Sequence, residues 1–150
     1  MKHSNKAIVR ISILSMLLAS TVAPVSHADD EDTVDYRQHV MSTLGEQVAI
    51  LGMMLEKKVP ADDFAIHAEA LALAATTAKF AFEPEVEGGA AKPEVWSAWD
   101  DFEKRMDVLV AGTAELAKIA KTGGMAAAGP KMQTALTCKG CHDTYRVPKR

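Results

Sequence analysis

Cysteine is scarce in this chain, whose 150 residues contain only Cys138 and Cys141. A structural zinc site usually takes four protein ligands, and no second pair of Cys or His residues stands at a suitable spacing for one. The sequence also lacks a strand pattern, so the cysteines are without the βαβ context of a thioredoxin-like redox pair. A disulfide between them stays open, but it would leave the adjacent His142 without a role.

Two further absences limit the partners that we expect. No segment after residue 28 is as long and apolar as the stretch of about 20 residues that crosses a membrane. Residues 29–150 also lack a basic excess, since they hold 14 basic and 20 acidic residues, a formal net charge of −6. An acidic balance argues against nucleic acid as a partner. We therefore predict neither nucleic-acid binding nor membrane insertion for this part of the chain.

Residues 1–28 have the features of a secretory signal peptide. Basic residues precede a short apolar run, and Ser26-His27-Ala28 offers small residues at the −3 and −1 positions of a cleavage site. A membrane anchor is the alternative, but the run is short and Pro24 follows it. We predict cleavage after Ala28, a periplasmic location and a single domain over residues 29–150.

The two cysteines belong to Cys138-Lys139-Gly140-Cys141-His142, and C-x-x-C-H is the attachment signature of c-type haem. On a helix, residues three and four apart share a face, so the two thiols and the imidazole would lie together. Two thiols one turn apart can add to the two vinyl groups of one porphyrin. We predict one covalent haem c, with Cys138 and Cys141 as thioether donors and His142 as the proximal iron ligand.

Apolar residues at alternating spacings of three and four predict a packed helical bundle. Segments A and B cover about residues 33–57 and 62–80, with Thr33 as the N-cap of the first. Segment C is predicted to begin at Pro93 and to stop at Gly123-Gly124.

The remaining stretches connect and close this bundle. Residues 83–92 contain Pro and Gly without periodicity and are predicted to form a loop. Segment D, which holds the haem motif, is predicted to start near Pro130 and to end at Pro148. The predicted fold class is all-α, an antiparallel (up-down) four-helix bundle with the haem on the C-terminal helix.

One charged residue interrupts the apolar seam of segment A. Arg37 stands one turn from Met41 on the face that points into the bundle. Either its stem packs while its head reaches water, or its guanidinium meets an anion such as a haem propionate. Both interpretations stay open at this point. Phe80 and Phe82, at the start of the loop, either cover a flat cofactor or fill the core.

Segments A and B each carry a second apolar face, which indicates deeper burial or an interface. The residues of these faces are Val40, Ile50 and Met54 on A, and Ile66, Ala70, Leu73, Thr77 and Phe80 on B. They predict packing against another subunit. His39 and His67 are iron ligands by residue type alone, and we expect both to be ordinary, partly exposed histidines.

These motifs resemble the cytochrome c′ family, the class II c-type cytochromes, over essentially all of residues 29–150. The resemblance is carried by Tyr36-Arg37-Gln38 with Met41, by Phe82-Glu83-Pro84 and the loop after it, and by residues 138–146. Two departures are the break at Gly129-Pro130, where relatives commonly continue a helix, and Lys79, where some relatives carry an aromatic residue.

The resemblance implies roles for single residues. Arg37 and Gln38 would lie near the propionates, and Met41 would lie over the distal face of the iron. Phe82 would line the pocket, and Arg146 would lie beside the proximal imidazole. It also implies a homodimer formed through segments A and B.

Three classes of function follow. One is a periplasmic one-electron carrier with an unidentified redox partner. Another is a protein that binds nitric oxide or carbon monoxide at an open iron position, for protection or sensing. An enzyme is disfavoured because no acid–base pair near the iron is evident.

Met41 as sixth ligand would give low-spin iron, whereas the Arg37-Gln38 pair tips the prediction towards five-coordinate, high-spin iron.

Overall fold

The computed structural model describes residues 29–148, where the secondary structure is helical apart from isolated backbone bridges. The predicted signal peptide, residues 1–28, lies outside the described residues. The helices are α1 (Asp30–Leu55), α2 (Phe64–Ala81), α3 (Glu94–Ser97), α4 (Trp99–Ala128), α5 (Met132–Ala135) and α6 (Cys138–Tyr145), with a 3-10 turn at Gly129–Lys131. Within the described range, no helix is long and apolar enough to cross a membrane.

The helices form the predicted four-helix bundle. α2 packs against both α1 and α4, and the short helices that follow α4 take the fourth position. The apolar seams point inward as the spacing predicts, so Leu51, Leu71 and Leu116 are each at most 1 % exposed. The all-α fold class is therefore confirmed, although the fourth member of the bundle is not one continuous helix.

The first helix begins earlier than predicted. Asp29, and not Thr33, is its N-cap, and Asp29 Oδ1 accepts a hydrogen bond from the backbone N–H of Asp32 at 2.8 Å. Asp caps a helix at least as well as Thr, and the acidic first turn suits the positive end of the helix dipole. Val34 and Arg37 consequently lie within a regular helix.

Segment C is not one helix. Ala98 leaves the helical region at φ −123° and ψ 43°, which separates α3 from α4. The predicted stop at Gly123-Gly124 is a kink, because Gly124 takes φ 62° and ψ −166° and the helix resumes to Ala128. A left-handed φ of this kind costs little for glycine.

Segment D consists of short pieces, so the prediction of a helix from Pro130 to Pro148 was wrong. Pro130 lies in the 3-10 turn, and α5 ends where Leu136 turns to φ −100° and ψ 89°. α6 starts afresh at Cys138, so the haem motif opens a helix of its own.

The end of α6 is set by the loop and not by Pro148. Arg146 is extended at φ −112° and ψ 137°, and its backbone pairs with Ala91. The N–H of Val147 donates to the carbonyl of Ala90 at 2.9 Å. Arg146 therefore lies beyond the helix instead of one turn along its face.

Backbone contact between α4 and α5 explains a glycine in the middle of α4. A Cβ at Gly112 would lie 3.0 Å from the carbonyl oxygen of Ala135. Glycine in a helix interior costs about 1 kcal/mol relative to alanine. The close approach of α5 thus requires a residue that the helix alone would disfavour.

Candidate haem-binding site

A cavity of about 460 Å³ opens between α1, the loop after α2, the start of α4, and α6. This volume is in the range of cofactor pockets. Its walls bring together most of the predicted site residues, from positions more than 100 residues apart. The lining residues among them are Arg37, Gln38, Met41, Phe82, Cys141, His142 and Arg146.

The attachment motif lies at the edge of this cavity. Cys141 is half-buried and lines it, whereas Cys138 is exposed and is not among the lining residues. Both are free thiols, so the alternative of a disulfide is not what the structure contains. Partial desolvation raises the pKa of both thiols above its ordinary value. His142, directly after Cys141, is exposed and faces the cavity mouth.

Arg37 is the most unusual residue of the site. It is 2 % exposed, so the alternative in which its head reaches water is wrong. Its Nη1 and Nη2 atoms are buried, and no described residue forms a hydrogen bond with them. Burial lowers the pKa of the guanidinium, which nevertheless stays cationic near neutral pH because arginine titrates far above it.

The guanidinium lies between two aromatic rings. Its Cζ atom is 5.5 Å from the centroid of Phe82 and 5.0 Å from that of Trp96. Trp96 is fixed in turn, because its Nε1 donates to the carbonyl of Phe82 at 2.9 Å. These cation–π contacts hold the side chain without neutralising it. A buried cation without a partner is costly, so an anionic group would fit this cavity beside Arg37.

Phe82 belongs to an aromatic wall that continues to α6. Its ring centroid is 5.3 Å from that of Phe102, which meets Tyr145 edge-on at 5.2 Å. Phe80, the other candidate for covering a cofactor, is 56 % exposed and does not line the cavity. An aromatic wall, an unpaired cation and a thiol–imidazole helix together fit a porphyrin with anionic side groups.

The loop forms the opposite wall through glycines that pack directly on α1. Gly88 and Gly89 take φ values of 136° and 62°. A Cβ at Gly88 would lie 2.9 Å from Val34 Cγ2. Only glycine combines this backbone with such a close approach, so the loop can narrow the cavity to a crevice.

The two other histidines of the described range, His39 and His67, lie away from the site. His67 Nδ1 lies 2.8 Å from Gln47 Oε1, and His39 is exposed on α1. Neither residue lines the cavity. Their placement agrees with the expectation of ordinary histidines.

Sequence reasoning missed a polar cluster behind α6. Asp101 Oδ2 accepts hydrogen bonds from Tyr145 Oη at 2.6 Å and from Arg105 Nε at 2.7 Å. These bonds, Tyr145 first, lower the pKa of Asp101. Burial and the bond to Asp101 raise the pKa of Tyr145 to about 12. The spacing of four between Asp101 and Arg105 signals a helix pair, but nothing local links that pair to Tyr145.

Comparison with known proteins agrees with this site. A family model described as cytochrome c′ matches residues 32–146. Cytochrome c′ from Rhodospirillum rubrum is 35 % identical over 149 residues, which cover 92 % of this chain and 98 % of that protein.

Solved structures show the same similarity. A nitric oxide complex of a single-residue variant of cytochrome c prime from Alcaligenes xylosoxidans superposes with a TM-score of 0.75 at 26 % identity. A carbon monoxide-bound variant of the same protein gives the same TM-score and identity. In both cases the match covers 82 % of this chain and 100 % of the other.

Proposed function

The chain belongs to the cytochrome c′ family of haem c proteins, and we propose that it is a periplasmic mono-haem cytochrome that binds nitric oxide or carbon monoxide at the iron and transfers single electrons. The observation that carries this proposal is the buried, unpaired guanidinium of Arg37 in the cavity that the C-x-x-C-H helix borders. Haem, when bound, supplies an iron that cycles one electron and an axial position for a small ligand.

The chain's own residues would hold the haem from three sides. Cys138 and Cys141 would form the thioethers, and His142 would ligate the iron from the proximal side. Arg37, together with Gln38 at the cavity edge, would pair with the propionates. Phe82 and Arg146 would complete the pocket wall.

One experiment tests this assignment directly. Protein exported with its own signal should have the mass of residues 29–150 plus one haem, and the haem should resist extraction by acidified organic solvent. Haem that extracts freely would contradict covalent attachment. A mature chain that does not begin at Asp29 would contradict the predicted cleavage, and protein found only in the cytoplasm would contradict the periplasmic location.

Met41 decides between the two ligation states. It is half-buried and lines the cavity from α1. We propose that it packs over the distal face and leaves the iron five-coordinate and high-spin. The nitric oxide and carbon monoxide complexes of single-residue variants of cytochrome c prime from Alcaligenes xylosoxidans favour an open axial position.

The spectrum of the reduced protein tests this proposal. It should be high-spin and should change when carbon monoxide or nitric oxide is added. A low-spin spectrum with an iron–methionine charge-transfer band that Met41→Ala abolishes would instead make Met41 the sixth ligand. Electron transfer without gas binding would then be the better assignment.

A homodimer is the second part of the proposal. Ile66, Leu73 and Phe80 follow one another at every second turn of α2 and are 63 %, 72 % and 56 % exposed. Val40 and Ile50 of α1 are half-buried, whereas Met54 is only 5 % exposed and fills the core of the subunit. The prediction for Met54 was therefore wrong, because this side chain has no surface to offer a partner.

Light scattering tests the dimer. The mature protein should have twice the mass of one subunit, and Leu73→Asp should reduce it to that of a monomer while the haem spectrum stays unchanged. A wild-type protein that stays monomeric at high concentration would contradict the proposal.

Turnover of any substrate at the haem would contradict the further proposal that the protein is a carrier and gas binder and not an enzyme.

A further inference from the structure

The helix that carries the attachment motif, α6, is too short to be stable by itself. α6 spans 8 residues, and isolated helices shorter than about 12 residues are marginal in water. Leu136 interrupts the chain before it and Arg146 leaves the helix after it. Its orientation towards the cavity therefore depends on contacts with other elements.

Two hydrogen bonds from the loop reach the C-terminal end of α6. Lys92 Nζ donates to the carbonyl of Thr144 at 2.9 Å, and the backbone N–H of Lys92 donates to the carbonyl of Tyr145 at 2.9 Å. These bonds lie after His142. The turn between the two cysteines has a further contact, which comes from α4.

Arg105 of α4 reaches that turn. Its Nη1 donates to the carbonyl of Gly140 at 2.9 Å, which lies between Cys138 and Cys141. The guanidinium also lies over the ring of Tyr145, with its Cζ atom 5.6 Å from the centroid. One side chain of α4 thus contacts both the first and the last turn of α6.

Asp101 joins these contacts into one unit. The same oxygen, Oδ2, accepts from Arg105 Nε and from Tyr145 Oη. An exposed Asp–Arg pair on a helix surface is worth little by itself. Here each partner makes a second bond or ring contact to α6, and hydrogen bonds to a charged group are the stronger kind.

We propose that Asp101 and Arg105 are positioning residues, a clamp from α4 that orients the C-x-x-C-H helix and so sets the direction from which His142 meets the haem iron. The inference rests on the proposed roles of Cys138, Cys141 and His142. The clamp acts through the backbone of Gly140 and the side chain of Tyr145.

The test compares purified holoproteins. Asp101→Asn and Arg105→Gln remove the shared charge-assisted bonds, and Tyr145→Phe removes one bond with little change of shape. Asp100→Asn is the matched control, since Asp100 is the adjacent carboxylate in the same turn of α4 and is exposed.

Hydrogen–deuterium exchange over residues 138–146 should become at least about tenfold faster in the two α4 variants, because a single bond to a charged group contributes about a factor of ten or more to the local opening equilibrium. The iron–histidine stretching frequency in the resonance Raman spectrum of the ferrous protein should shift, and so should the midpoint potential. Tyr145→Phe should shift these values in the same direction by less, and Asp100→Asn should match wild type.

Arg105→Lys separates positioning from charge. Lysine keeps the charge but lacks the planar fork that reaches Asp101 and Gly140 together, so it should behave like Arg105→Gln. A lysine variant with the wild-type frequency would overturn the clamp in favour of a charge effect. Wild-type exchange rates and frequency in both Asp101→Asn and Arg105→Gln would also overturn it. Wild-type protein that carries no haem would instead refute the proposed function.

Discussion

Replacing Arg37 by methionine should change the stability of the haem-loaded and haem-free proteins in opposite directions. The guanidinium is buried, and no described residue forms a hydrogen bond with its Nη1 and Nη2 atoms. In haem-free protein it would be a buried cation without a partner. Its desolvation costs several kcal/mol, and its contacts with Phe82 and Trp96 return at most about 2 kcal/mol each. Methionine keeps a straight apolar stem between the two rings. The free energy of unfolding of the haem-free variant should therefore rise by about 1 kcal/mol.

In the haem-loaded protein the same substitution should lower the free energy of unfolding. If a propionate pairs with Arg37, its removal leaves a buried anion without its cation, which costs about 3–5 kcal/mol. Since the guanidinium denaturation slope of a domain of this size is a few kcal/mol per molar, the midpoint should fall by on the order of 1 M. The measurement is equilibrium unfolding in guanidinium, followed by circular dichroism, on both forms of wild type and variant.

Arg37→Lys is the control, because lysine keeps the positive charge and lacks the planar guanidinium group. It should retain part of the stability of the loaded protein. The reasoning would be refuted by a variant that destabilises the haem-free protein and leaves the loaded one unchanged. That outcome would mean that the cation–π contacts, and not an anion in the cavity, determine the position of Arg37.

Three further predictions concern the frame around the site. Gly112→Ala should lower the free energy of unfolding by up to about 2 kcal/mol in a denaturant titration. Overpacking against the Ala135 carbonyl, 3.0 Å from the new Cβ, costs about 1–3 kcal/mol, and the better helix propensity of alanine returns about 1 kcal/mol; a raised midpoint would contradict the close contact. Because the pKa of Tyr145 is raised to about 12 from an ordinary value of 10, its contribution is complete below pH 10 and is lost as the pH rises through 12. Tyr145→Phe should flatten that part of the stability profile, whereas Tyr36→Phe, on an exposed ring, should not. Lys79→Met, which removes ion pairs to Glu103 and Asp107 at 3.1 and 2.7 Å, should cost less than about 1 kcal/mol at low salt and still less at high salt; an effect that salt does not reduce would contradict a screened surface interaction.

Several features of the fold were predictable because they depend on residues close together in the chain. The alternating apolar spacing identified α1, α2 and α4, since a helix must turn one face to the core whatever its neighbours are. Segment D shows where this reasoning fails. Its composition permits a single helix, but the chain breaks at Leu136, and Arg146 is extended where it pairs with Ala91, more than 50 residues earlier.

The same distinction between local and long-range features applies to the candidate site. The spacing of Cys138, Cys141 and His142 is a local property of the chain, so the sequence by itself identified haem c as the cofactor and predicted the residues that attach it. The sequence left open whether Arg37 reaches water or faces the cavity, because that depends on Phe82 and Trp96, which other parts of the chain bring to it. The link from Asp101 to Tyr145 spans 44 residues. Only the tertiary structure decided it, since a hydrogen bond requires two atoms within about 3 Å and sequence spacing carries no such distance.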